Sequence, residues 1–331
     1  MDSDNEKQPQ STMECLIPGH AIRPFCAAIG CLSRVGKDLI VEFDVVDGLT
    51  LRALSDSKAV FGSFHYEPSF FTKCSTAIRK RKRGEEEDSR RCLRVAMKSL
   101  AAVVRPRKDV VSLQLSSVGD FLAFEFQIQR SEGVIARVTH RVGVAAAHSI
   151  AAVADMDKSS ELVVQPSVLW PMLEPLKRST EMALLINETH KLISGASFTH
   201  GDISSGDTDL SVVSKHASLK TETSIGFDEL VELHYVSDPS QSTTQQGHAP
   251  PPADIKSQVV LVFTTKEFRA MLDFAAKSHF DQELPVTLQF HWGGKPVVIT
   301  TKAQGFSAEL VMATLDHKLL GSIRVDGGDI P

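Results

Sequence analysis

The sequence predicts an α+β protein built from two similarly organised halves, and three observations carry that prediction. Residues 32–71 read as an apolar helix end (Leu32-Ser33-Arg34), a stop at Val35-Gly36, and a meander of antiparallel strands at 39–43, 49–54 and 60–66, with Asp47-Gly48 turning between the first two. A second half, beginning near residue 161, repeats the order strand, helix, strands, helix, strands, although no motif recurs residue for residue. The chain has 331 residues, 42% of them hydrophobic, enough for one large core or two ordinary ones.

Residues 1–12 are polar and expected to be disordered. A strand is expected at 13–17 and a helix at 20–34, where Ile22, Phe25, Ile29 and Leu32 recur at the helical period. Pro24 then falls in the first turn, where a missing N–H is tolerated. Beyond the meander and Pro68, Phe70 and Phe71, residues 75–91 break the pattern. Arg79-Lys80-Arg81-Lys82-Arg83 precedes Gly84 and Glu85-Glu86-Glu87-Asp88, a charged loop whose basic half has the composition of a nuclear-import signal. Residues 93–104 read as a strand entering a helix, and strands follow at 110–115, 121–129 and 134–144.

The small-residue segment 145–160 has little periodicity and reads as a linker. After it come a strand (161–165), a helix (167–178) and strands at 181–186 and 191–198. Residues 200–216 and 239–256 are polar inserts around strands at 219–225 and 230–237. A strand at 258–263, a helix at 265–277 and closing strands at 286–292, 296–302 and 307–315 complete the half. The expected organisation is an extension (1–12), a first domain (13–144), a connecting segment (145–160), a second domain (161–315) and a tail (316–331).

The net charge of −5 argues against a generally basic nucleic-acid binder but leaves room for a local basic surface. Five cysteines and no apolar run of membrane-spanning length suit reduced thiols in a nucleocytoplasmic protein with no membrane partner.

The four expected helices share a basic polar side. In 265–277, Lys266, Arg269 and Lys277 lie within about 80° of one another, opposite Phe268, Met271 and Leu272, with Asp273 among the bases. In 20–34, Arg23 and Arg34 are nearly eclipsed, opposite Phe25 and Leu32. In 97–105, Lys98 and Arg105 are a heptad apart, opposite Leu100, and Arg107 and Lys108 extend the basic end. In 167–178, Lys177 and Arg178 share the polar side with Trp170 and Glu174. Lys and Arg occupy most solvated helix faces. Four such faces on an acidic chain nevertheless suit a surface that tracks phosphates without reading bases. These eleven residues are the expected DNA contacts.

The motifs Met13-Glu14-Cys15-Leu16, Leu32-Ser33-Arg34-Val35-Gly36, Asp47-Gly48-Leu49-Thr50-Leu51-Arg52, Ser57-Lys58-Ala59 and Pro68-Ser69-Phe70-Phe71 resemble the family of subunit nine of the heterotrimeric 9-1-1 DNA-damage checkpoint clamp. So do the block from Phe263 to Ala275 and the strand from Leu310 to Leu315. The resemblance implies the sliding-clamp fold of proliferating cell nuclear antigen, with antiparallel sheets outside and two helices per domain on the inner face. It implies a nuclear ring completed by two other clamp subunits and closed around double-stranded or junction DNA by an ATP-driven clamp loader. The ring would recruit checkpoint and repair proteins, with peptides docking beside segment 145–160. Edge strands near 134–144 and 219–225 would join the neighbours. The family usually carries a long phosphorylated tail. Here residues 316–331 follow the fold, with Ser322 as their single hydroxyl residue, so either the chain is a piece of a longer one or its signalling differs.

Enzyme chemistry finds little footing. A metal-dependent nuclease needs carboxylates converging on cations, whereas Asp4, Glu6, Asp281, Glu283 and the run 85–88 fall in termini, turns and loops. His20, Cys26 and Cys31 do not have zinc-motif spacing. No glycine-rich phosphate loop is present, and no cofactor or catalytic residue is expected. The alternative within the same fold is a self-assembling replicative clamp.

Overall fold

The computed structural model describes residues 12–44, 46–77, 91–105, 108–130, 133–198, 221–236, 258–278 and 282–316. The basic and acidic runs at 79–88, the inserts at 200–216 and 239–256, Arg107, Asp4, Glu6, Asp281 and Ser322 lie outside the described residues.

The chain divides into two units, Met1–Ala151 with Lys277–Asp281 and Lys302–Glu309, and Ala152–Ala276 with Gln282–Thr301 and Leu310–Pro331. Among the described residues the first carries β1 (Thr12–Pro18), α1 (Gly19–Val35), β2 (Asp38–Asp44), β3 (Gly48–Leu54), β4 (Val60–Tyr66), β5 (Lys73–Ala77), β6 (Arg91–Ala96), α2 (Met97–Val103), β7 (Val110–Val118), β8 (Phe121–Gln129) and β9 (Ile135–Ala146). The second half of the sequence carries β10 (Ser160–Val164), α3 (Pro166–Leu173), β11 (Glu181–Asn187), β12 (Leu192–Phe198), β13 (Glu222–Gly226), β14 (Glu232–His234), β15 (Gln258–Thr264), α4 (Thr265–Lys277), β16 (Val286–Phe290), β17 (Val297–Ala303) and β18 (Phe306–Met312).

Pairing repeats as well as order. In the first half β1 lies antiparallel between β5 and β7, and β2 between β3 and β6. In the second, β10 lies between β14 and β16, and β11 between β12 and β15. Even the exits match: Ala147 donates its N–H to Cys92 at 3.1 Å, and Leu315 donates to Val262 at 2.9 Å. The strands β3 and β8 alternate buried and half-buried positions, the signature of one covered face, whereas β11 is buried continuously from Met182 to Ile186.

Ile22, Phe25, Ile29 and Leu32 are all buried, which is why α1 forms where the period predicts. Its start at Gly19 puts Pro24 in the second turn rather than the first, so the carbonyl of exposed His20 loses its helical donor. Gly36 ends the helix in an extended conformation, with its N–H on the Leu32 carbonyl at 3.1 Å. A Cβ there would stand 2.6 Å from the Leu54 carbonyl oxygen, so close backbone approach rather than a left-handed turn demands glycine. Gly48 is the opposite case, at φ +97° after a turn in which Asp44 Oδ1 accepts the N–H groups of Val46 (2.8 Å) and Asp47 (3.3 Å).

Two helices are shorter than the sequence suggests. α2 ends at Val103 instead of Arg105, before the sequence Val104-Arg105-Pro106, where the residue ahead of proline resists the helical region. α3 ends at Leu173 instead of Arg178, because Pro175 has no N–H to offer the Pro171 carbonyl. Likewise β14 keeps three residues of the expected 230–237, preceded by a 3-10 turn at Phe227–Glu229.

The first unit's core centres on Tyr66, whose ring lies 5.6 Å from Phe25, 4.5 Å from Phe70 and 6.0 Å from Phe306. Burial pushes its phenol well above the ordinary range. In the second unit Phe263 and Phe268 meet edge-on at 5.3 Å, and Met172 fills the space a side chain at Gly195 would take.

Candidate nucleic-acid interface

The outer stripe of α1 carries His20, Arg23, Gly30 and Arg34, all exposed, with its apolar stripe turned to the core. Arg34 sits in the last turn, where a cation complements the helix C-terminus. α1 packs against α2, whose exposed residues are Lys98, Ser99 and Ala102. Arg105 lies past the helix end, and its Nε donates to the Ala101 carbonyl at 3.3 Å. Exposed Lys108 follows near the start of β7.

In the second half of the sequence the cations divide into two kinds. Lys266 and Lys277 are exposed at the two ends of α4. Arg269 is half-buried: its guanidinium donates to the Leu173 carbonyl at 2.7 Å and lies 5.2 Å from the centre of the Trp170 ring. It therefore ties α4 to the C-terminal end of α3. Trp170 is half-buried beneath it, a packing surface rather than an open platform for bases. Asp273 is also half-buried, and Lys266 Nζ stands 3.7 Å from Oε1 of buried Glu267.

α3 presents no cation of its own. Its exposed positions are Ser167 and Pro171, and the Ser167 N–H is capped by Glu283 Oε2 at 2.9 Å. Glu283, weighed above as a nuclease carboxylate, is thus a helix cap. Lys177 and Arg178 lie in the turn that follows α3. Lys177 pairs with Glu174 at 2.8 Å, and that lysine holds the Glu174 carboxyl below its ordinary value. The structure thus places Arg23, Arg34 and Lys98 on exposed faces of one packed helix pair, and Lys266 and Lys277 on α4. It sets Arg105, Lys108, Lys177 and Arg178 outside the helices and Arg269 in an interhelix contact.

Sequence reading missed a polar cleft of about 190 Å³ lined by Glu42, Asp44, Asp47, Thr50, Arg52 and His65. Arg52 forms an ion pair with Glu42, and Ser149 bridges them, accepting from Arg52 at 2.8 Å and donating to Glu42 at 2.8 Å. The segment after β9 is therefore pinned to the β2–β3 face. Glu309 also feels Arg52, but burial dominates and pushes its carboxyl up. The signal was present: Glu42 and Asp44 alternate along β2, and Thr50 pairs with Glu42 across the ladder. Nothing local marked Ser149 as their partner, 97 residues from Arg52.

At the other end of that segment, buried His291 reaches the Asp155 carbonyl at 3.2 Å. Burial holds its imidazole below the ordinary value, Lys295 works in the same direction, and the Asp155 carbonyl opposes them. Cys26 and Cys31 are buried on the core side of α1, with His20 on the exposed side.

A profile of the Rad9 family matches residues 25–315. The fold is similar to that of PCNA from Thermococcus kodakaraensis, with a TM-score of 0.62 at 12% identity over 91% of this chain and 99% of that one. The PCNA2-PCNA3 complex from Sulfolobus tokodaii gives 0.59 at 11% identity, over 91% and 98%. Proliferating cellular nuclear antigen from Entamoeba histolytica gives 0.59 at 11%, also over 91% and 98%. At such identities the likeness speaks for the fold, which is the α+β sliding-clamp fold expected from the sequence.

Proposed function

This chain belongs to the Rad9 family of clamp subunits, and from that premise we propose that it is a non-catalytic member of a heterotrimeric checkpoint ring that encircles DNA in the nucleus. The observation that carries the reading is a pair of sheet edges without a partner strand among the described residues. Over residues 135–143 the ladder of β9 runs along one side, to β8, and β13 closes its sheet beside β12. An exposed edge invites a partner strand, and a subunit with one edge in each half can stand between two neighbours. Loading would fall to an ATP-driven clamp loader. Checkpoint and repair proteins would dock beside the segment pinned by Ser149.

DNA would meet the basic helix faces. Arg23, Arg34, Lys98, Lys266 and Lys277 are the proposed principal phosphate contacts, with Arg105, Arg107, Lys108, Lys177 and Arg178 adding to the field. Arg269 contributes charge while holding the helices together. Flexible lysine and arginine heads track a backbone loosely, as a sliding ring requires, whereas bidentate base contacts would arrest it.

A second reading, a self-assembling clamp, has its own supporting observation. β9 exposes Arg137, whose Nε stands 3.8 Å from Glu125 Oε1, and Arg141, while β13 and the turn after it expose Glu222, Asp228 and Glu229, so cations lie along one edge and carboxylates along the other among the described residues. Size analysis separates the readings. The chain alone should be monomeric and enter a ring on co-expression with the two other clamp subunits. A trimer of the chain alone would replace the heterotrimer with the self-assembling clamp.

A further inference from the structure

We propose that Cys15 and Cys74 form an oxidation site that closes to a cross-strand disulfide, fastening β5, the last strand of its sheet among the described residues, to β1. This inference stands on the geometry of the first unit and does not depend on the clamp reading. The two residues face each other directly in the antiparallel register, with Glu14 opposite Ser75 and Leu16 opposite Lys73. Their sulfurs are 2.9 Å apart as free thiols. Directly opposed residues in such a ladder have Cα atoms about 4.5–5.5 Å apart, inside the range of about 4.4–6.8 Å that a disulfide spans. Closure therefore asks little of the backbone.

The two sulfurs differ in the way the chemistry needs. Cys15 is fully buried, between Met13 and Ile17 on the core side of β1, whereas Cys74 is half-buried on a strand at the end of its sheet. A small oxidant reaches Cys74 first. The hydrogen bond from Cys15 lowers the Cys74 thiol below its ordinary value, against the opposing effect of burial, so Cys74 supplies the thiolate. Cys15 is pushed up, chiefly by the same bond and by burial, and holds its proton. Cys92 is pushed up by burial and has no cysteine opposite it in the ladder to β2, where it pairs with Glu42.

With hydrogen peroxide as oxidant the steps balance. The Cys74 thiolate attacks one peroxide oxygen, the S–O bond forms and the O–O bond breaks. The departing hydroxide takes the Cys15 proton and leaves as water. The Cys15 sulfur then attacks the Cys74 sulfur, the S–S bond forms, the S–O bond breaks, and hydroxide leaves with a solvent proton as a second water. Two thiols lose two electrons and peroxide gains them. Because the resolving sulfur is already adjacent, closure should outrun further oxidation of Cys74.

The test treats the full chain with hydrogen peroxide, blocks remaining thiols with iodoacetamide and maps unreduced peptides by mass spectrometry. A peptide joining Cys15 to Cys74, lost on treatment with dithiothreitol and formed before Cys92 is consumed, is expected. Cys92→Ser should keep the link and Cys74→Ser should lose it. In the oxidised protein, amide exchange across Lys73–Ala77 should slow by about tenfold or more. A sulfinic acid on Cys74 without the link, prior consumption of Cys92, or unchanged exchange in the linked protein would each overturn the proposal.

Discussion

A helical wheel makes Arg269 a DNA contact, but its position in the fold makes a quantitative claim that separates structure from binding. Replacing it with alanine removes a charged donor from the Leu173 carbonyl at 2.7 Å and a cation from the Trp170 ring at 5.2 Å. A hydrogen bond from a charged group contributes about 1.5–3 kcal/mol. The cation over the ring adds about 0.5–1 kcal/mol at a partly exposed site. Water can reach a half-buried position and replace part of the bond, so the lower end applies: Arg269→Ala should cost about 2 kcal/mol. Both tryptophans of the chain, Trp170 and Trp292, lie in the second unit, so intrinsic fluorescence in a denaturant titration follows that unit alone. The transition midpoint should fall with its slope unchanged. Lys266→Ala, an exposed change on the same helix, should alter stability by under about 0.5 kcal/mol. If Arg269→Ala is as silent as Lys266→Ala, the guanidinium does not bind the helices and the reasoning fails.

Other expectations follow from the same geometry. Reversing Arg34, Lys98 and Lys266 should weaken DNA retention of the assembled ring to a similar degree on any sequence. It should also lower the salt slope by about 0.9 for each phosphate no longer neutralised, measured by retention on circular DNA across salt concentrations; an unchanged slope would remove those residues from the interface. Gly48→Ala should destabilise the first unit by about 1–3 kcal/mol, because it strains a φ of +97° and drives a methyl into the Tyr66 carbonyl, and thermal melting reads the effect. His291 has a folded-state value depressed from 6.5, so the folded protein binds fewer protons than the unfolded chain just below that pH. Its contribution is therefore present above pH 6.5 and lost as pH falls below it. His291→Gln should flatten the stability profile measured by tryptophan fluorescence between about pH 5 and 7; an unaltered profile would mean that His291 does not carry the dependence.

Much of the fold was legible because it rests on local signals. Ile22, Phe25, Ile29 and Leu32 announce α1 by their spacing, and all are buried. Phe268, Met271 and Leu272 do the same for α4, whose bounds match the expected 265–277. Errors gathered where a local rule was weighed too lightly. Pro175 cut α3 short and placed Lys177 and Arg178 in a turn, and Pro106 lies just beyond the end of α2. Gly36 was legible as a stop, but its reason, the Leu54 carbonyl 2.6 Å from where a Cβ would be, was not.

The sequence by itself determined the family and, apart from β5 at Lys73–Ala77, which falls where a charged loop was expected, the order of strands and helices in two repeating halves, because periodicity, turn residues and family motifs are properties of neighbours along the chain. Only the tertiary structure decided which cations are exposed and which are committed, since Arg269 and Lys266 are indistinguishable on a helical wheel until the Leu173 carbonyl and the Trp170 ring arrive from another helix. It likewise decided that Ser149 bridges Glu42 and Arg52, and that Cys15 meets Cys74. Meetings between groups 59 to 107 residues apart depend on strand register and packing, and these are settled when the whole core is buried at once.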